Sequence, residues 1–148
     1  MNRSRKTFIL KLLKRHNIMS FATVRPDGFP QATTVGYAND GLDLYLCCDR
    51  ASQKVRNLRR SAKVSLTIDR DYKDWTRIKG LSMGATARLL SKPADVTRAF
   101  DLLARKFPEL RKMSKEDLAG SAFVKVTPKV ISVLDYSKGF GHTELVRP

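Results

Sequence analysis

The chain has 148 residues, with 29 Lys+Arg against 14 Asp+Glu and a formal net charge of +15 at pH 7. That length suits one domain burying about 68–70% of its unfolded surface, and 42% hydrophobic residues argues against wholesale disorder. No apolar run approaches the roughly 18 residues of a membrane span, and the adjacent pair Cys47 and Cys48 is no disulfide framework, which leaves a soluble, cytoplasmic domain whose partner is anionic: nucleic acid, acidic lipid or a phosphorylated ligand.

A basic amphipathic helix is predicted over residues 3–16. Phe8, Ile9, Leu12 and Leu13 form its apolar stripe, and Arg3, Arg5, Lys6, Lys11, Lys14 and Arg15 cover the rest. The segment shares its acid-free composition with transit peptides. It lacks a small-residue cleavage signal and runs straight into strand-like sequence, so a docked terminal helix is expected. From Ile18 the period changes. Met19–Val24, Gln31–Ala38 and Leu42–Cys48 are short runs separated by Pro26-Asp27-Gly28 and Asn39-Asp40-Gly41, a β-meander signature. Leu42, Leu44 and Leu46 alternate with Asp43, Tyr45 and Cys47, which predicts one buried face.

Asp49–Arg60 reads as a short helix with Val55 and Leu58 as its apolar pair, and Lys63–Ile68 as a strand with Val64, Leu66 and Ile68 inward. Arg77–Leu90 is a long strand in which Gly80 and Gly84 suggest a bend or bulge. Pro93 opens a helix with Val96, Ala99, Phe100, Leu103 and Phe107 on one face, and Pro108 stops it. A short helical piece around Ser114–Leu118 follows, then two strands, Phe123–Val126 and Lys129–Asp135, split by Pro128, and a tail over 136–148. About six strands with peripheral helices in a single domain predict a closed antiparallel barrel, mainly β in class.

The stretch most suggestive of chemistry runs from Cys47 to Leu58. A strand ends and a helix opens with Ser52 and, two positions later, Lys54. Helix N-termini offer unpaired N–H groups and partial positive charge, to which a hydroxyl and an ammonium would add a phosphate site. Arg50 and Arg56 are further candidates. The competing reading is that Ser52 or Asp49 caps the helix and the bases are solvated. Cys47 and Cys48 point to opposite faces of a strand, which disfavours a shared metal or an easy disulfide and marks them as inert. His16 fits a helix C-terminus, and His142, in Gly139-Phe140-Gly141-His142, sits on a Gly-rich tail that either reaches a neighbouring molecule or lies in solvent. Two histidines without metal-ligand spacing argue against zinc.

Gly28-Phe29-Pro30, Tyr37, Asp40-Gly41, Leu44-Tyr45-Leu46, Ser52-Gln53-Lys54, Asn57-Leu58, Val64-Ser65-Leu66 and Gly80-Leu81-Ser82-Met83-Gly84-Ala85-Thr86-Ala87 occur in that order. Together they resemble the pyridoxamine 5′-phosphate oxidase-like family over roughly residues 5 to 136. The resemblance implies a six-stranded, Greek-key, FMN-binding split β-barrel and a homodimer with two flavin sites between the barrels. It implies that Ser52 and Lys54 grip the FMN phosphate, with Gln53 where the family often has a second base. Ala32, Thr33, Thr34 and Val35 would line the isoalloxazine ring, Ala32 standing where the oxidase has a basic residue. Cys47 and Cys48 would lie beside the ribityl chain, and Trp75 near a polar contact to the flavin.

The implied function is hydride transfer through the flavin, which requires no obligatory side-chain acid, base or nucleophile. Thr143–Pro148 supplies only Arg147 where the oxidase carries arginine and aromatic contacts, so true pyridoxamine 5′-phosphate oxidase activity is not implied. Similar barrels include deazaflavin (F420) enzymes and haem-handling proteins. Two other classes compete: a basic nucleic-acid-binding module, which the charge favours but the absence of RNP aromatics and zinc-finger spacing does not, and membrane-surface binding through the N-terminal helix.

Overall fold

A computed structural model describes all 148 residues. In chain order the elements are α1 (Arg3–Arg15), β1 (Ile18–Val24), β2 (Pro30–Gly36), β3 (Ala38–Asp40), β4 (Asp43–Asp49), α2 (Gln53–Arg60) and β5 (Lys63–Ile68). There follow β6 (Lys79–Leu89), α3 (Pro93–Lys106), α4 (Lys115–Ala119), β7 (Ser121–Asp135) and β8 (Thr143–Val146), with short 3-10 turns at Trp75–Arg77, Pro108–Lys112 and Tyr136–Lys138. The strands form one curled antiparallel sheet in the order β2-β1-β5-β6-β7-β4-β3, and β8 pairs with β7 beside this path. The protein is thus mainly β with four helices.

The two Asp-Gly turns need a backbone that L side chains rarely adopt. Gly28 and Gly41 supply it at φ +88° and +57°. At the first turn the Asp27 carboxylate also accepts the Phe29 N–H at 3.1 Å, fixing β1 against β2 in a seven-pair ladder from Ile18–Gly36 to Val24–Pro30.

The stripe of α1 docks as its periodicity predicts. Ile9, Leu12 and Leu13 are buried with Phe21, Leu66, Met83 and Ile131 inside the curl, and Phe8 packs at the margin. Each fully buried aliphatic side chain of this kind contributes about 1.5–3 kcal/mol. On the outside of the sheet, Ala99 and Leu103 of α3 cover Ala38, Tyr45 and Phe123 in a second, smaller core, with Val96, Phe100 and Phe107 packed around it. β4 is therefore buried on both faces: Leu44 and Leu46 face the main core and Tyr45 the second. The alternation that predicts a single buried face fails because α3 covers the other one. Lys106 joins α3 to α1, donating to the carbonyl oxygens of Leu13 and His16, with its ammonium 4.0 Å from the Tyr37 ring centre.

The strands number eight against the expected six, and three segments depart from their predicted bounds, the first being Gln31–Ala38, which divides into β2 and a short β3 that reaches Asp40. Phe123–Val126 and Lys129–Asp135 are one fifteen-residue strand, because the missing N–H of Pro128 falls where the β6–β7 register shifts. Gly84 pairs with Val130 and Ala85 with Pro128, leaving Lys129 as the extra residue of a bulge, a position that tolerates proline. The residues after Asp135 do not trail into solvent either. They turn at Tyr136–Lys138 and return as β8, pairing Thr143–Val146 with Ile131–Leu134.

Gly84 has a packing reason to be glycine, since a Cβ there would stand 3.0 Å from Val130 Cγ1. Gly84→Ala is expected to destabilise the fold by about 1–2 kcal/mol, read as a lower midpoint in urea denaturation. The added change Val130→Ala should restore part of the loss. An unchanged midpoint in the single variant would show that the bulge is not tightly packed.

Candidate functional site

The candidate site lies where the end of β4, the start of α2 and the edge strand β2 converge. α2 begins later than its sequence suggests. Asp49 instead forms a turn, its carboxylate accepting the Ala51 N–H at 2.7 Å and its carbonyl the Ser52 N–H at 3.1 Å. The helix then opens at Gln53 with Ser52 as N-cap. Val55 and Leu58 are buried as the apolar pair predicts.

Between them sits Asn57, which is completely buried. Its Nδ2 donates to Thr23 Oγ1 of β1 at 2.9 Å and to Gln31 Oε1 of β2 at 3.2 Å, and its Oδ1 accepts from Gln53 Nε2 at 2.8 Å. One amide thus ties the first turn of α2 to two strands. Sequence reading places Asn57 in a motif but assigns it no role, since its partners lie 34 and 26 residues away.

The first turn is left open to a ligand. The Ser52 hydroxyl makes no side-chain cap and is buried without a hydrogen-bond partner. Ser114, at the same position of α4, caps normally, accepting the Asp117 N–H at 3.0 Å. The Ser52 side chain therefore does not cap α2, and neither does that of Asp49, which accepts the Ala51 N–H ahead of the helix. Lys54 is half-buried and forms neither an ion pair nor a hydrogen bond in the protein.

The other polar side chains here are engaged internally. Gln53 is held between Asn57 and Arg56, and Arg56 also donates to the Ala51 carbonyl at 2.6 Å. Arg50 donates to the Ser121 carbonyl at 3.2 Å. Cys47 and Cys48 do point to opposite sides, Cys47 packing against the outer core and Cys48 against the inner one. Burial pushes both thiols up from their ordinary value. Beside Cys48, the Lys54 charge and the Ser52 hydroxyl pull the other way.

β2 forms one margin of the sheet and comes into contact with β4 across the curl without a hydrogen-bonded ladder between them. Ala32 and Thr34 face outward with short side chains, while Thr33 and Val35 turn in. Thr33 Oγ1, like Ser52 Oγ, is buried and unpaired. An edge strand also presents unpaired backbone N–H and C=O groups. Trp75 stands apart from this group within one chain. It lies in the β5–β6 connection, at the Ile18 end of β1, whereas α2 is tied to the Thr23 end. There it stacks on Phe140 with ring centres 6.1 Å apart, and Phe140 meets Tyr136 edge-on at 5.5 Å. The stacked pair is 64% and 78% exposed, which leaves most of both rings uncovered. His142 is not free in solvent: its Nε2 lies 3.0 Å from Glu144.

The family model for pyridoxamine 5′-phosphate oxidase matches residues 6–135. The chain belongs to the pyridoxamine 5′-phosphate oxidase family. A search of curated proteins finds no match. Among solved structures, a conserved hypothetical protein from Mycobacterium tuberculosis superposes with a TM-score of 0.79 at 24% identity, covering 97% of this chain and 91% of that one. A protein of the pyridoxinephosphate oxidase family from Clostridium acetobutylicum, related to general stress protein 26, gives 0.74 at 15% identity, over 99% and 96% of the two chains. HutZ, the haem storage protein of Vibrio cholerae, gives 0.69 at 16% identity, over 81% and 87%. At these identities the likenesses establish the pyridoxamine 5′-phosphate oxidase fold. No helix is long and apolar enough to cross a membrane.

Replacing Asn57 with alanine strands the buried Thr23 hydroxyl and takes a partner from the half-buried Gln31 and Gln53. Asn57→Ala should cost about 2–3 kcal/mol, measured by chemical denaturation. A loss below about 0.5 kcal/mol, the range of ordinary surface changes, would show that α2 is held by its apolar pair alone.

Proposed function

We propose that the protein binds FMN and acts as a flavin-dependent oxidoreductase, as a homodimer with the flavin held between two copies. The observation that carries this reading is the uncapped start of α2. Ser52 has a buried, unpartnered hydroxyl where Ser114 in the equivalent position caps its helix. Lys54 has no acid to meet, and no side chain caps the first-turn N–H groups. A phosphate monoester supplies what all three lack: oxygens that accept from the hydroxyl and the N–H groups, and charge for the ammonium and the helix dipole.

The residues present fit the rest of the cofactor as well. The free edge of β2 offers backbone donors to the polar rim of a flat ring. Ala32 and Thr34 keep the strand's outer face low enough for such a ring to approach. Cys48, uncharged because of its burial, would line the path between ring and phosphate without reacting. A bound flavin supplies the hydride chemistry, and the chain's part is to bind, orient and exclude water. Trp75 and Phe140 expose a stacked aromatic pair at the far end of β1. A second copy of the chain seated there would bring an aromatic wall from one protomer toward the site of the other, which is how Trp75 would serve a flavin it does not approach within its own chain.

Haem is the other ligand that a neighbour of this fold is named for. The open helix start favours flavin, because haem carries no phosphate. A deazaflavin also presents a phosphate to α2 and differs in its longer anionic tail.

Lys54→Ala should weaken FMN at least about tenfold, the loss of one charge-assisted contact, and leave riboflavin nearly unchanged. Both are read by quenching of flavin fluorescence during titration. Equal losses for FMN and riboflavin would remove Lys54 from the phosphate site.

A further inference from the structure

A cavity lies away from α2, where the last turn of α1 and the start of β1 meet the β5–β6 connection. Its volume of about 700 Å³ is within the range of small-molecule sites. Arg15, Arg70, Arg77 and Lys79 line it, against the carboxylates of Asp69 and Asp71. The only ion pair any of these six makes is an open one, Arg77 to Asp74 at 3.8 Å outside the cavity. The wall therefore holds an uncompensated excess of positive charge.

Part of that wall is fixed in place. The Tyr72 hydroxyl donates to the Lys79 carbonyl at 3.0 Å, and the Arg70 guanidinium lies 4.6 Å from the Tyr72 ring centre. His16 adds an unmet polar atom. Its Nδ1 is 2.8 Å from the Leu12 carbonyl oxygen and must be the protonated nitrogen, which leaves Nε2 buried with no partner. Lys106 donates to the Leu13 and His16 carbonyl oxygens at the end of α1.

We propose that this cavity binds a small phosphorylated metabolite carrying two or more negative charges. Arg15, Arg70, Arg77 and Lys79 supply its counter-charge, and His16 Nε2, an acceptor while Nδ1 carries the proton, takes a hydrogen bond from a ligand hydroxyl or from a water that bridges to the ligand. A guanidinium pairs bidentately with carboxylate and phosphate alike, so charge decides: four cations against two carboxylates leave an excess that a phosphate dianion matches and a single carboxylate does not. The site shares no residue with Ser52–Lys54.

The chain contains two histidines, so their ring signals serve as reporters. The test is NMR titration of the full chain at low salt with inorganic pyrophosphate as probe, the signals being assigned with His142→Gln. The His16 ring signals should shift saturably both in the wild type and in Lys54→Ala. In Arg70→Ala/Arg77→Ala, two exposed positions, the midpoint should weaken by roughly tenfold or more. Removing two remote exposed cations, Lys112→Ala/Lys129→Ala, should change it little. The proposal is overturned if His16 does not move, if its shift vanishes in Lys54→Ala because the probe occupies the α2 site instead, or if the remote pair weakens binding as much as the arginine pair.

Discussion

A buried amide in a dry interior must find hydrogen-bond partners, and Asn57 finds them on three elements at once. Leaving such a group unpaired costs about 1–3 kcal/mol, so the partners' positions are strongly specified. Val55 and Leu58 supply the apolar attraction that holds α2 to the sheet, but apolar contacts tolerate sliding. The bonds to Thr23, Gln31 and Gln53 do not. They set the helix start beside the first residues of β2, and Arg56, bonded to Gln53 and the Ala51 carbonyl, fixes the loop in front of it. The open hydroxyl of Ser52 and the free charge of Lys54 inherit their places from that network.

The excess charge of the chain takes on a shape in the fold. A few pairs absorb part of it: Arg5 with Glu144, Arg98 with Asp40, and Lys125 with Asp43 at 3.1 Å. Lys54 stands at the helix start, and four cations gather around the cavity at the other end of β1. Arg3, Lys6, Lys11 and Lys14 remain on the solvent face of α1, whose opposite face is spent on the core. Both cavity and helix start would draw small anions from solution, since fields of one sign concentrate oppositely charged ligands.

Much of this was legible in the residues. The stripe of α1, the two Asp-Gly turns, the inward face of β5 and the apolar face of α3 all follow from period and turn chemistry. Pro128 misled, because a lost N–H reads as a break and only the register shift opposite Gly84 makes it tolerable. β8 escaped because four residues alternating between exposed and half-buried carry almost no periodic signal. At the site, Ser52 and Lys54 could be read from their place at a helix start. Asn57 could not, because a polar residue on a short helix looks solvated until its distant partners are known. Nor could the stacking of Trp75 on Phe140, which depends on a chain reversal 65 residues later in the sequence.

Under the proposed function, the open start of α2 holds the phosphate of a flavin. Mass spectrometry of the small molecules released when the purified full-length protein is denatured tests it most directly. FMN at close to one molecule per chain is the expected result. Release of haem or of a deazaflavin in place of FMN, or of no ligand from a protein that gives no flavin spectrum when FMN is added, would contradict it.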